Sequence, residues 1–157
     1  MEFAKADFDL FDREVFAFKQ LKDIYPPETI QRLKEDYQMS WQKWKHIQMT
    51  VATNVSADLQ PKVESWTNGW NLRSHFWCAY RNEAHPNQNA CLAALINQKQ
   101  YQVYFMFQHY KSGQRSGSLA AYNDLRWQIE EWSKDKNLAD YYIWPQVEHE
   151  LEDHCPL

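Results

Sequence analysis

The residues best suited to chemistry in this sequence are histidines and cysteines near its centre. Nucleophilic catalysis would use the thiol of Cys78 or Cys91 with His75 or His109, because a thiolate forms near neutral pH only beside a base or a cation. Strand residues an odd number of positions apart point to opposite faces, so His75 and Cys78 are expected to face away from each other. Cys91 and His109 remain possible on adjacent strands. Cysteine is also commonly a small buried apolar residue, which is the structural alternative.

A pocket for a small ligand would combine aromatic walls with a few polar groups. Histidine suits such a pocket because its pKa lies close to neutrality. The residues predicted to bind a ligand are His75, Trp77, Arg81, Gln102, Tyr104 and His109. A histidine on an aromatic face is also commonly a hydrogen-bonded structural residue.

No metal site is predicted. Zinc needs three or four converging ligands, and the six histidines form no HExxH, no HxH and no paired cysteine spacing. In the C-terminal tail, Glu150 and His154 lie four residues apart, as do His149 and Asp153. A solvated helix face explains such pairs more simply than a shared metal.

No cofactor is predicted either. A dinucleotide fingerprint or a phosphate loop needs several glycines at fixed spacing, so that the backbone can approach a phosphate. The three glycines, Gly69, Gly113 and Gly117, fit neither pattern.

The centre of the chain also contains the residue types that bind single-stranded nucleic acid. In such binding proteins, the bases stack on exposed aromatic side chains beside basic groups. Residues 1–61 carry a net charge of −2, residues 62–115 of +4 and residues 116–157 of −6. The aromatic and basic candidates are Tyr80, Tyr101, Tyr104, Trp77, Arg73, Arg81, Lys99, Lys111 and Arg115. No RNP-type signature accompanies them. In the structural alternative, Val103, Phe105 and Phe107 face the core and the tyrosines pack beneath helices.

These residues must be positioned by secondary structure, which begins with helices. Asp12 has the type and position of an N-cap for a short helix that ends near Asp23. A second helix starts at Pro27, where proline is tolerated. Its apolar stripe follows the helical period over about five turns, at Ile30, Leu33, Tyr37, Trp41, Trp44 and Ile47. Residues 49–61 lose the period and are predicted to form a connecting loop.

A sheet is predicted to follow. Asn68-Gly69 indicates a two-residue hairpin turn, with Thr67 opposite Trp70 and an ion pair between Glu64 and Arg73. Alternating apolar runs at 72–80, 90–96 and 101–110 supply further strands. Ser118 is then placed to cap a helix that ends near residue 136.

The sequence therefore predicts a two-layer α+β fold, in which an antiparallel sheet of about four strands packs with N-terminal and C-terminal helices. We expect a single domain over residues 1–157, helical at 12–48, a β-meander at 62–110, helical again at 118–136, and an acidic tail at 139–157.

Composition bounds the class of protein. Aromatic residues make up 16% of the 157 residues, which suits cores, pockets and interfaces alike. Three cysteines without a CxxC pair, and an N-terminus without a basic start and an apolar run, argue against a secreted disulfide scaffold. No apolar stretch approaches the roughly 18–20 residues that span a bilayer. We expect a cytoplasmic protein that does not bind membranes.

The runs Phe76–Arg81 and Gln100–Gly113, with the opening Phe8–Phe11 and the long tryptophan-bearing helix, resemble a family of uncharacterised small bacterial proteins. The resemblance covers residues 7–135, and its marks are aromatic strands rather than catalytic motifs. It implies an α+β fold and a bacterial cytosolic origin, and it brings no established activity. A dehydrogenase label would conflict with the glycine pattern.

The sequence favours a non-enzymatic domain that binds a small ligand or a protein through the aromatic sheet face. One alternative is a small enzyme with a histidine-containing pocket on the sheet. The other is single-stranded nucleic-acid binding through the basic aromatic centre, which we do not favour.

Overall fold

The computed structural model describes residues 2–143 and 155–156. Its helices are α1 (Lys5–Asp9), α2 (Phe18–Ile24), α3 (Pro27–Val55), α4 (Leu119–Asn123) and α5 (Arg126–Ser133), with a 3-10 turn at Ser112–Gln114. Its strands are β1 (Leu59–Val63), β2 (Thr67–Asn68), β3 (Asn71–Leu72), β4 (His75–Asn82), β5 (Ala90–Asn97), β6 (Tyr101–Phe107), β7 (Tyr142–Ile143) and β8 (Cys155–Pro156).

The main sheet is open and four-stranded, in the order β1-β4-β5-β6, and the pairs β1–β4 and β4–β5 are antiparallel. Two small two-stranded sheets, β2–β3 and β7–β8, accompany it. Helices packed on an antiparallel sheet make a two-layer α+β fold, so the predicted fold class is confirmed.

The chain divides into two compact units. The large unit comprises Met1–Pro86 and Leu92–Phe105, and the small unit comprises Asn87–Cys91 and Met106–Leu157. The large unit contains a continuous apolar core under α3, whereas the small unit contains α4 and α5. That the whole chain acts as one domain stays a prediction.

Helix α3 organises the large unit. It begins at Pro27, as predicted, and buries Ile30, Tyr37, Trp44 and Ala52 along one side. This burial at helical spacing confirms the predicted apolar stripe. The helix continues to Val55, beyond its predicted end, because the buried side extends through Ala52. It packs on β1 and β4.

Two predictions before β4 were wrong. Asp12 caps no helix, because the chain does not become helical again until Phe18, where α2 begins with Ala17 at its N-cap. The carboxylate of Asp7 serves the start of α1 instead. Asp7 accepts the backbone N–H of Ala4 at 2.8 Å and pairs with Lys43 at 2.5 Å. The predicted loop 49–61 contains the end of α3 and the start of β1. Pro61 lies within β1, where it is tolerated because β1 is an edge strand.

The predicted hairpin forms one residue out of register. Asn68 pairs with Asn71 and Thr67 with Leu72, so the turn residues are Gly69 and Trp70 rather than Asn68 and Gly69. Gly69 has a φ of +58°, and no positive φ is found at Trp70. Glycine at the first turn position is typical of a type II′ turn, which explains the shift. The predicted ion pair is confirmed, with Arg73 Nη2 2.6 Å from Glu64 Oε2.

In the small unit, Ser118 caps α4 as predicted, since its Oγ accepts the N–H of Ala121 at 3.1 Å. The predicted helix over 118–136 is divided into α4 and α5, with Asp124 and Leu125 between them. Most of the predicted acidic tail lies outside the described residues.

Candidate functional site

Five of the six predicted ligand-binding residues lie on one face of the sheet. His75, Trp77 and Arg81 alternate along β4, and Gln102 and Tyr104 alternate along β6. Trp77 Nε1 donates a hydrogen bond to the Tyr104 hydroxyl at 3.0 Å, which shows that the two sets share a face. We call it the reverse face. Trp77, Arg81 and Tyr104 are buried there. Ligand binding by these residues stays a prediction.

The two predicted histidines differ in environment. His75 is partly buried, and burial together with the nearby Arg73 lowers its pKa from 6.5 to about 4, so the ring is neutral at pH 7. Its Nδ1 lies 3.3 Å from Ser74 Oγ. His109 is exposed and belongs to the small unit, where its ring centroid lies 5.0 Å from that of Phe107. His75 belongs to the large unit, so the structure describes no site that they share.

Cys78 and Cys91 are both buried. Cys78 lies in the apolar core under α3, whereas Trp77 bonds to Tyr104 on the reverse face. His75 shares the parity of Trp77, so the prediction that His75 and Cys78 face apart is confirmed. Cys91 is buried and His109 is exposed, and their cooperation stays a hypothesis.

The residues that the structure describes include no group of three His, Cys, Asp or Glu side chains that could hold a metal ion. The paired Glu150 with His154 and His149 with Asp153 lie outside those residues.

The opposite face of the sheet carries α3 and is covered only in part. Asn97 N–H bonds to Gln100 O, and Gln108 N–H bonds to Asn89 O. Both hydrogen bonds fit one antiparallel register of β5 and β6, in which Asn97 faces Gln100 at one end and Asn89 faces Gln108 at the other. Leu92 therefore lies opposite Phe105. Leu92 is 42% exposed, Val103 59% and Phe105 42%. We call these three residues the uncovered patch.

The width of one helix explains this patch. A helix is about 10–12 Å across and strands are about 4.8 Å apart, so one helix covers roughly two strands. On one side of α3, Trp41 Nε1 bonds to Glu64 O at 2.7 Å, next to β1. On the other side, the Trp44 ring lies 6.0 Å from that of Tyr101 at the start of β6. Tyr101 is 38% exposed and marks the border of the covered region.

A polar cluster lies at this border. The fully buried Gln48 accepts a hydrogen bond from the Tyr80 hydroxyl through its Oε1. Burial, and to a lesser extent the neighbouring Cys78 and Tyr101, raises the pKa of Tyr80 well above its ordinary value. The phenol is therefore protonated at physiological pH, so its O–H is available to donate to Gln48.

The expectation that Val103 and Phe105 face the core was wrong, whereas Phe107 is buried as expected. Apart from Gln102, both alternating sets of β6 are apolar or aromatic, so the sequence does not distinguish a strand covered on both faces from one covered on a single face.

The residues proposed for base stacking are mostly inaccessible. Trp77, Tyr80 and Tyr104 are buried, and Arg73 is held by Glu64. Stacking on nucleic acid requires exposed rings, and of the four aromatic candidates only Tyr101 is substantially exposed.

Trp70 is an exposed aromatic residue that the sequence reasoning did not single out. It is 86% exposed at the tip of the β2–β3 hairpin. Its carbonyl accepts the Phe18 N–H at 3.0 Å, and Leu72 N–H bonds to Phe16 O at 2.9 Å, so its backbone is well anchored. The sequence feature that could have indicated its exposure is the pair Gly69-Trp70, because a Gly-X pair is typical of a type II′ turn.

The fold and this surface define a class, namely a two-layer α+β protein with one helix over an open antiparallel sheet. A protein-family model matches residues 3–157, and the chain belongs to that family. A Haemophilus influenzae (strain ATCC 51907 / DSM 11121 / KW20 / Rd) protein named "Uncharacterized protein" is 31% identical over 146 residues, which are 92% of this chain and 68% of that protein. The predicted resemblance to a bacterial family of unknown function is confirmed. No solved structure matches the chain. Within the described residues, none of the helices has the length and apolar character needed to cross a membrane.

Proposed function

We propose that this chain is a binding domain that receives an amphipathic helix of a protein partner on the uncovered patch. The observation that carries the proposal is the exposure of Leu92, Val103 and Phe105 on the sheet face that α3 covers elsewhere. Adjacent exposed apolar side chains of this kind mark interaction surfaces in soluble proteins.

The shape of the surface favours a helix as the occupant. Val51 follows Trp44 by seven residues and therefore lies on nearly the same side of α3, facing β6, and it is 38% exposed. In the proposed complex, Val51 would form one wall of a groove whose floor is the uncovered patch. A second helix laid beside α3 would cover the remaining two strands, as the helix and strand widths require. Such grooves take apolar anchors spaced at i, i+3 or i+4, and i+7.

The size of the surface favours a reversible complex. Three patch residues and Val51 bury far less than the roughly 800 Å² per partner of a standard interface. We therefore expect a dissociation constant on the order of micromolar rather than nanomolar.

The chemistry of the patch separates this proposal from the alternatives. Leu92, Val103, Phe105 and Val51 carry no charge, whereas nucleic-acid affinity comes largely from basic groups that neutralise phosphates. The alternative of a small enzyme with a histidine-containing pocket would require a histidine beside a cleft. The cleft beside α2 and α3 and the cleft at α4 are both lined by other residues.

Site-specific photo-crosslinking tests the proposal. A benzophenone amino acid at Val103 should give one discrete protein adduct in cells of the bacterium that encodes the chain. The same group at Met39, which is 67% exposed on the outer side of α3, is the matched control and should not give that adduct.

The captured protein must then bind in purified form. Val103→Lys should weaken that binding at least tenfold, since a lysine in an apolar groove loses its hydration, and Met39→Lys should leave it unchanged. Equal crosslinking at both positions, or equal affinity of both variants, would contradict the proposal.

A further inference from the structure

A separate cleft lies wholly within the small unit. Its floor forms where residues 116–118 run alongside residues 87–89, with a parallel bridge between Gln88 and Ser116. Asn89 N–H bonds to Ser116 O at 2.9 Å, and Ser116 N–H bonds to Asn87 O at 2.9 Å. Helix α4 begins directly after this segment. The cleft has a volume of about 190 Å³.

Asn89 at the base of the cleft has an acceptor without a partner. Its side chain is 1% exposed, its Nδ2 donates to Gln108 O at 3.3 Å, and its backbone carbonyl accepts the Gln108 N–H at 2.9 Å. The side-chain Oδ1 has no hydrogen-bond partner among the described residues. Buried amide oxygens are nearly always paired, so this one calls for an explanation.

Gly117 leaves room beside that oxygen. Its φ of +101° favours glycine, and a Cβ on it would lie 3.6 Å from Asn89 Oδ1. The space that a side chain would fill is therefore open to a donor atom from a molecule in the cleft.

The remaining walls are uncharged and largely apolar. Phe107 and Tyr122 form an edge-to-face pair with ring centroids 5.7 Å apart, and Ala90, Ala121 and Leu125 add apolar surface. The polar part of the lining comes from Gln88, Ser116 and Ser118. A cavity of about 150 Å³ accommodates benzene, so the volume suits one ring with a small substituent. None of the lining residues is charged, which favours a neutral ligand.

We infer that this cleft binds a small neutral molecule with one aromatic ring and an N–H or O–H group that donates to Asn89 Oδ1. The inference is independent of the proposed helix-binding function, because it uses no residue of the uncovered patch.

Fluorine NMR with two probes of nearly equal shape tests the inference on the full chain. 4-Fluorophenol carries a donor where 4-fluorotoluene carries a methyl group. A nonspecific apolar cleft would prefer the methyl compound, which is the more hydrophobic of the two. We expect 4-fluorophenol to bind about five- to tenfold more tightly, the factor that one hydrogen bond provides, with a dissociation constant on the order of millimolar.

Two leucine variants locate the binding. Ala121→Leu fills the cleft from the surface of α4 and should weaken 4-fluorophenol binding at least tenfold. Ala120→Leu, on the neighbouring exposed position outside the lining, should bind as the wild type does. Asn89→Leu, if it folds, should lose the preference for the phenol.

The inference is overturned if the wild type prefers 4-fluorotoluene or binds both probes equally. It is also overturned if the wild type binds neither probe at 10 millimolar, roughly ten times the expected dissociation constant, or if Ala121→Leu binds as Ala120→Leu does. The two leucine variants keep the test decisive if Asn89→Leu does not fold.

Discussion

The sheet face beneath α3 and the uncovered patch beside it are built from similar residues but differ in their exposure to solvent. Tyr37 and Trp44 of α3 are fully buried against Phe76 of β4. On the same face, Val103 and Phe105 of β6 remain exposed. The difference arises from the width of one helix rather than from composition. Apolar character therefore builds the core in one region and leaves a surface for binding in the other.

Replacing Trp44 should have the largest effect, because it removes the centre of the covered region. Trp44→Ala should lower the free energy of unfolding by about 3–5 kcal/mol, from lost burial and the cavity left behind. Urea denaturation monitored by circular dichroism measures this change. Val103→Ala should cost under about 1 kcal/mol, since its side chain is already mostly in water.

Trp70→Ala is the matched control for the loss of an indole. Trp70 is highly exposed, so its removal should change stability by less than about 0.5 kcal/mol. Comparable losses for Trp44→Ala and Val103→Ala would break the comparison between the two regions.

The second prediction concerns His75 and acid. The folded protein holds the pKa of His75 at about 4, against 6.5 for the ordinary group. Below pH 6.5, His75 binds a proton in the unfolded chain but not in the folded protein. The free energy of unfolding therefore falls as the pH drops towards 4. The loss from this group is at most about 3 kcal/mol.

Urea denaturation at pH 7, 6, 5 and 4.5 measures this loss. His75→Gln should flatten that part of the pH profile, because glutamine does not titrate. Identical profiles for the wild type and His75→Gln would show that His75 titrates normally and that solvent reaches its ring on the reverse face.

The third prediction concerns the polar cluster at the border between the two regions. Tyr80→Phe removes the hydroxyl that donates to Gln48 and leaves a buried amide oxygen without this donor. The free energy of unfolding should fall by about 1–3 kcal/mol. Tyr25→Phe, at an exposed position, should be within about 0.5 kcal/mol of the wild type. Equal stability of Tyr80→Phe and the wild type would mean that water replaces the hydroxyl, and that the border is less dry than the covered region.

The sequence predicted the covered region well because that region depends on local periodicity. The stripe of α3 repeats with the helical period, and parity along β4 separates Cys78 from His75. Glu64 and Arg73 also form their pair despite the shifted hairpin register. Long side chains reach diagonal partners, so this contact tolerates a slip of one residue.

The sequence did not predict the uncovered patch or the cleft, because both depend on which elements pack over which others in the folded chain. Val103 and Tyr104 are equally suited to a core, and the local sequence does not show that α3 leaves Val103 uncovered. The unpaired side-chain oxygen of Asn89 lies in a cleft that residues 116–118 form beside residues 87–89, and no local sequence pattern predicts that long-range contact. Asp12 shows the opposite failure, since a good N-cap type is no cap where the chain does not continue as a helix.

The smallest effect on stability is expected at the uncovered patch. Val103→Lys places a charge where the wild-type side chain is already 59% exposed, so stability should change by less than about 0.5 kcal/mol. Binding of a hydrophobic fluorescent dye to the folded protein should nevertheless decrease, because the contiguous apolar surface is interrupted. Met39→Lys, at an isolated exposed position of α3, should leave dye binding unchanged. If Val103→Lys instead destabilised the protein by several kcal/mol, β6 would be covered on both faces, and the contrast between the two regions of the sheet would disappear.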